Sequence, residues 1–233
     1  MVGKGKYYES QFEEATIELL RESHWQYTFG DDIHRKYTDP LIEEDLRTFL
    51  AAQYKDKKLT ASEVDGIVAN LRNTGGQNDY YALQNTFLLY RDGYDFTYSD
   101  GRDNPFRLQY IDFEHPDHNI FRCVNQFVME QGRENRRPDI LLFVNGIPVC
   151  IVELKNPTKQ NATIRDAHTQ ICTRYMRDIP ALLKYCALAV ISDGAKNELG
   201  TTYTPFEFFY EWKKIDNEDK AGKGLDTLRT LIR

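Results

Sequence analysis

At 233 residues the chain has room for one large domain or two small ones, and a net charge of -6 does not suit a domain that binds nucleic acid with its whole surface. With 41% hydrophobic and 28% charged residues it reads as an ordinary soluble globular protein. No run of about 18 apolar residues is present to span a membrane, and the MVGKGKYYESQFEE start has no apolar core for a secretory signal.

Residues 8–22 are predicted to be helical, because Tyr8, Phe12, Ala15 and Leu19 recur at helical spacing. Glu9 and Glu13, four apart, share a flank of that helix. Asp39-Pro40 is expected to open a second helix, with proline at the first helical position and Ile42, Leu46, Phe49 and Leu50 turned inward. Thr60 with Glu63 reads as a capping box opening a third helix, ended by Gly75-Gly76. A fourth is placed over 79–90, although its aromatic residues also suit a strand. From about 106 the pattern turns to strands: FRLQYIDF, NIFRCVNQFVME, then RPDILLFVNGIPVCIVELKNP. A helix over roughly 163–176 and a buried strand, YCALAVIS, follow. This order predicts an α/β fold with one mixed sheet. Residues 213–223 read as a linker, and Leu225, Leu228, Leu231 and Ile232 as an apolar face with little left to bury against. The sequence up to 212 reads as one domain with a helical insertion at about 38–90 and a core at about 106–195; 213–233 reads as a linker and the start of a truncated following domain. Cys123, Cys150, Cys172 and Cys186 have no CxxC spacing and sit mostly in apolar runs, as expected of buried reduced thiols in a cytoplasmic protein. His24, His34, His115 and His118 show no ligand spacing, and His168 reads as a polar surface contact.

The chemistry concentrates in the hairpin. Asn145-Gly146 between two apolar runs is a strong turn signal. Asp139 begins one strand, and Glu153-Leu154-Lys155 closes the other. Two carboxylates and an ammonium are costly to bury in a strand pair apolar on both faces. They suit a hard cation with oxygen ligands, Asp139, Glu153 and the Leu154 carbonyl, beside a lysine that orients water. The competing reading is an ion pair of Lys155 with one of the acids. Register decides between them. A two-residue turn pairs Val144 with Ile147 and Asp139 with Val152, sending Asp139 and Glu153 to opposite faces. A three-residue turn, or a bulge in either strand, puts Asp139, Glu153 and Lys155 on one face. A bulge or longer turn is therefore expected.

These residues resemble the PD-(D/E)xK nuclease motif, and the chain is similar over most of its length to the N-terminal endonuclease domain of the restriction (R) subunit of type I restriction enzymes. The resemblance is carried by Tyr8-Glu9 with Phe12-Glu13, Asn119-Ile-Phe121, Val124-Asn125-Gln126-Phe127 and Arg137-Pro138-Asp139. It continues through Asn145-Gly146-Ile-Pro148, Glu153-Leu-Lys155-Asn156-Pro157, Ala167, Gln170-Ile171, Tyr175, Ile191-Ser192-Asp193-Gly194, Phe208 and Trp212. It implies a restriction-endonuclease-like core, Mg²⁺ held by Asp139 and Glu153, Lys155 as the catalytic lysine, and cleavage of double-stranded DNA. Glu9 or Glu13 approaches the metal in some relatives; each also reads as part of a solvated helix face. The family's glutamine-tyrosine motif usually has three intervening residues, whereas Gln170 and Tyr175 have four, so either the helix is irregular here or the tyrosine has another role. Lys159, Arg165, Arg174 and Arg177 are candidates for DNA phosphates or simply solvated cations. No GxxxxGK[ST] pattern occurs. The resemblance implies that an ATP-driven translocase motor lies in the rest of the subunit, and that methyltransferase and specificity subunits select the DNA. Competing readings are a non-catalytic docking module of a DNA motor and a related nuclease of DNA repair.

Overall fold

A computed structural model describes residues 4–155, 163–212 and 225–231. In chain order the elements are α1 (Lys4–Glu22), β1 (Gln26–Phe29), α2 (Glu43–Gln53), α3 (Ala61–Asn73), α4 (Asp79–Asp92), β2 (Tyr94–Phe96), β3 (Phe106–Leu108), β4 (Phe121–Asn125), β5 (Met129–Gln131) and β6 (Glu134–Arg136). Next come β7 (Ile140–Val144), β8 (Ile147–Leu154), α5 (Ile164–Thr169), a π-helical turn (Gln170–Tyr175), α6 (Met176–Asp178), α7 (Pro180–Leu183), β9 (Leu188–Ser192), β10 (Asn197–Gly200), β11 (Tyr210–Glu211) and α8 (Leu225–Leu231).

The predicted mixed α/β architecture is present as a seven-stranded sheet of order β1-β4-β7-β8-β9-β10-β11. β1 runs parallel to β4 and β8 parallel to β9, and the other neighbours are antiparallel. β7 and β8 lie inside the sheet, which is why both faces of the hairpin are apolar. On one face Leu141, Phe143, Ile151 and Ile191 pack under Ala167, Ile171 and Tyr175. On the other, Ile140, Leu142, Val152 and Val190 meet Ile17 and Leu20 of α1. A third core, under α2, α3 and α4, closes over Val144 and Ile147 at the turn end of the hairpin.

Local signals account for much of this. Thr60 and Glu63 form the expected capping box, with the Thr60 amide donating to Glu63 Oε2 at 2.9 Å. The 79–90 stretch is helical, capped by Asn78, whose Oδ1 accepts from the Tyr81 amide at 3.1 Å. Three expectations need correction, and one strand was missed. The second helix begins at Glu43, not at Asp39-Pro40. Asp39 Oδ1 instead accepts from the Leu41 amide at 3.1 Å, and the Ile42 amide donates to Gly146 O at 2.9 Å, so tertiary partners take this backbone out of the helix. The strand read through NIFRCVNQFVME breaks at Gln126, where φ is +54°. β1, four half-exposed residues, had no sequence signal of its own. Finally, the C-terminal apolar face does find a partner: Leu228 of α8 is buried in the α1 core. The linker reading over 213–223 lies outside the described residues. All four cysteines are free, and Cys123, Cys150 and Cys186 are buried.

Candidate active site

Asn145 (φ +51°) and Gly146 (φ +75°) form a two-residue turn, with Val144 opposite Ile147. Gly146 is obligatory here, since a Cβ would stand 2.1 Å from Ile42 O. That turn alone would separate the acids. However, the register shifts between Leu142 and Phe143: Phe143 pairs with Pro148, Leu142 with Cys150 and Ile140 with Val152. Val149 is the extra residue of a β-bulge. The longer turn, with Phe143 opposite Ile147, does not occur; the bulge restores the register. Extending the pairing by one residue sets Asp139 opposite Glu153, on the face covered by α5 and the π turn.

Glu153 is fully buried, and Lys155 nearly so. Lys155 Nζ donates to Glu153 Oε1 at 2.7 Å and to Gln170 Oε1 at 3.0 Å. Gln170 Nε2 donates in turn to the Tyr175 hydroxyl at 2.7 Å. The Tyr175 hydroxyl donates to Arg137 O at 3.4 Å, two residues before Asp139. Asp139 Oδ2 accepts from the Leu154 amide at 2.8 Å, which fixes the first acid across the strand pair. Among the described residues, Glu153 Oε2 is buried without a hydrogen-bond partner. Burial, and then the neighbouring charge of Asp139, push the Glu153 carboxyl well above the usual carboxylate range; Lys155 opposes this without reversing it. Burial likewise raises the Tyr175 phenol, which stays protonated.

The four-residue gap between Gln170 and Tyr175 is resolved by the helix. Residues 170–175 form a π turn, in which the repeat lengthens to i→i+5, so the two side chains return to one side and bond directly. An α-helix would place them about 100° out of register.

The remaining predicted residues are more dispersed. Glu13 accepts from Asn125 Nδ2 at 2.7 Å and from Gln126 Nε2 at 3.2 Å, on α1, which packs against the opposite face of the sheet. The side chain of Glu9 and all of Lys159 lie outside the described residues. Arg165, Arg174 and Arg177 are exposed. Of these, Arg165 lies over the Phe206 ring at 4.2 Å and Arg177 is paired with Asp178 at 2.6 Å. His168 bonds Thr204 O at 2.8 Å and packs edge-on against Phe206 and Phe209, so it pins a loop rather than facing Lys155. Asn125 and Gln126, which hold Glu13, were assigned no role from sequence; their only signal was two amides at a strand end.

The sequence profile of the Type I restriction enzyme R protein N terminus matches residues 6–208. The Type I restriction enzyme HindI endonuclease subunit of Haemophilus influenzae is 30% identical over 236 residues, covering 96% of this chain and 22% of that protein. The putative type I restriction enzyme MjaIXP endonuclease subunit of Methanocaldococcus jannaschii is 30% identical over 224 residues, or 89% of this chain and 20% of the relative. The chain thus spans about a fifth of the length of these two relatives. With a profile match over most of its length, the chain belongs to the family of type I restriction enzyme R protein N termini.

Proposed function

We propose that this chain is the nuclease part of a type I restriction enzyme R subunit, with a PD-(D/E)xK centre on a restriction-endonuclease-like core that cuts double-stranded DNA with Mg²⁺. The observation that carries this reading is the pairing of Asp139 and Glu153 across a bulged hairpin, with Lys155 bonded to Glu153. The donor set fits such an ion: two carboxylates and the Leu154 carbonyl offer the oxygen ligands that a hard cation takes, and Glu153 Oε2 is a buried acceptor still lacking a partner. Bound Mg²⁺ would neutralise phosphate charge and make water a nucleophile at neutral pH.

The chain's own residues do the positioning. Asp139 is held by the Leu154 amide, so its second oxygen keeps one direction. Glu153 would hold a cation as the carboxylate, and so would release its proton on binding one. Lys155, fixed between Glu153 and Gln170, presents its ammonium to the attacking water and to the charge that grows on the phosphate. Tyr175 orients Gln170, and through it the lysine. Arg165, Arg174 and Arg177 are exposed and so available to the DNA backbone; Glu13, held by Asn125 and Gln126 on the α1 side of the sheet, is assigned no part in this centre. The net charge of -6 fits a division of labour in which an ATP-driven motor in the same subunit, and the methyltransferase and specificity subunits, supply most of the DNA binding.

The test is Lys155→Ala in the full-length subunit, assembled with its partner subunits. Cleavage should fall at least about 100-fold, the usual loss when a group that stabilises transition-state charge is removed, while ATPase activity and folding persist. Unchanged cleavage would reject the centre and leave a non-catalytic docking module.

A further inference from the structure

At the turn end of the hairpin, away from Asp139 and Glu153, the 109–119 segment gathers Asp112, His115 and His118. Spacing along the sequence assigns these histidines nothing; the fold brings one ligand atom of each within 4.8 Å of the others. We propose that Asp112, His115 and His118 form a second cation site, suited to a borderline divalent ion such as Zn²⁺ rather than to Mg²⁺.

Geometry supports this first. His118 Nδ1 lies 3.1 Å and His115 Nδ1 3.6 Å from the same oxygen, Asp112 Oδ2. The edge of a tetrahedron with metal–ligand bonds of about 2.0–2.1 Å is about 3.3 Å, so these separations already bracket a coordination edge. The two imidazoles stack at 4.9 Å with planes 17° apart, so a rotation of one exposed ring brings both in-plane nitrogen lone pairs onto one ion.

Preorganisation supports it second. Asp112 is buried, and its Oδ1 accepts from the amides of Glu114 and His115 at 3.0 and 2.9 Å, so the carboxylate cannot swing. Gln53 Nε2 donates to Oδ2 at 2.9 Å from α2, the kind of outer contact that orients a metal-binding carboxylate. The histidine side chains are 61% and 51% exposed, which leaves an open approach for an ion and for water ligands. Two imidazole nitrogens with one carboxylate select zinc-like ions; a magnesium site would be all oxygen.

The site is separate from the nuclease centre. Its loop is tied to the hairpin turn, since Asn119 Oδ1 accepts from Asn145 Nδ2 at 2.8 Å and from the Asp112 amide at 2.9 Å. The five residues of β7, roughly 17 Å at about 3.3 Å each, lie between that turn and Asp139. A bound ion would clasp residues 112–118 to one another, beside the turn to which Asn119 already ties this loop. This role does not depend on the nuclease reading.

The experiment is a calorimetric titration of the protein with Zn²⁺ alone, and separately with Mg²⁺. The proposal predicts one Zn²⁺ equivalent that survives in Glu153→Gln, where the nuclease centre is disabled, and is lost in the His115→Ala/His118→Ala double variant. Both histidines are exposed enough for that variant to fold, which circular dichroism checks. Gln53→Ala should weaken binding about tenfold, and Zn²⁺ should raise the melting temperature of the wild type but not of the double variant. Failure of Zn²⁺ to bind saturably, or binding unchanged by the double substitution, would overturn it: Asp112 would then simply cap the Pro116–His118 turn.

Discussion

Glu153 is fully buried between two charged neighbours of opposite sign, and its environment favours the protonated form. Folding therefore takes up a proton wherever the unfolded carboxyl, with its ordinary value of 4.5, is ionised and the folded one is not. The contribution of Glu153 to stability falls as pH rises from about 4.5 through the raised value, the opposite of the usual carboxylate. Glu153→Gln keeps the shape and has no proton to lose. Its melting temperature should match the wild type near pH 4.5 and exceed it at pH 8, by about 2–4 °C for each 1 kcal/mol relieved in a domain of this size. Thermal scans of both proteins across pH check this, and a variant whose advantage over the wild type does not grow toward pH 8 would refute it. A residue kept at a cost to the fold is what a metal-binding role accounts for and an apolar strand does not.

Two elements use the same device, one extra residue that rotates the remainder of the element about its axis. In β8, Val149 is the inserted residue, and it moves Glu153 from the row of Ile140 and Leu142 into line with Asp139. In the helix after α5, the π turn takes up the extra residue between Gln170 and Tyr175. The two insertions differ in what their removal would do. Deleting the exposed Thr173 shortens the gap to three residues, the α-helical spacing at which both side chains still share a face. That variant should keep its fold and the Lys155–Gln170 link, with a melting temperature within about 4 °C of the wild type. Deleting Val149 should instead turn Glu153 away from Asp139 and abolish cation binding at the centre, because the strand period is two. Calorimetry with Mg²⁺ and thermal melts distinguish the pair; a Val149 deletion that still binds would sink the register argument.

Across the whole molecule, the helical region of α2 to α4 and the main sheet are joined by apolar contact and by a few buried polar ties. Arg122 on β4 grips Asp45 of α2 with two hydrogen bonds, 2.6 and 2.7 Å, and donates to Thr28 of β1 at 2.8 Å. Asp45 is buried, so removing the guanidinium leaves an uncompensated charge. Arg122→Ala should cost about 3 kcal/mol of stability. Urea unfolding measures it, and a loss below about 1 kcal/mol would mean that water replaces the arginine. The Asn145 side chain makes the companion tie, accepting from the Ile120 amide at 2.8 Å and donating to Tyr110 O at 2.9 Å. The turn is thus part of the domain's interior.

Sequence periodicity with cap and turn signals was enough for the helices over α1 and α3, the strands of the hairpin and the strand before Ser192, because burying one face or both imposes a repeat that survives in the residue order, whereas the aromatic residues of α4 suited helix and strand alike. The residue types also singled out Asp139, Glu153 and Lys155, whose charges are out of place in an apolar hairpin, while the family resemblance flagged the Gln170–Tyr175 spacing as either an irregular helix or another role for the tyrosine. Periodicity could not say where the compensating bulge lies, since a turn and a strand insertion restore the same register, nor distinguish a π turn from a displaced tyrosine. It missed β1 and the true start of α2, where hydrogen bonds from distant residues outweigh local preference. It also missed the Asp112–His115–His118 cluster, whose members are drawn together by the Asp112 turn and by Gln53 from another helix. Local pattern determined the elements and their chemistry. Contacts between residues far apart in the chain decided register, facing and the second cluster, because those depend on which surfaces meet.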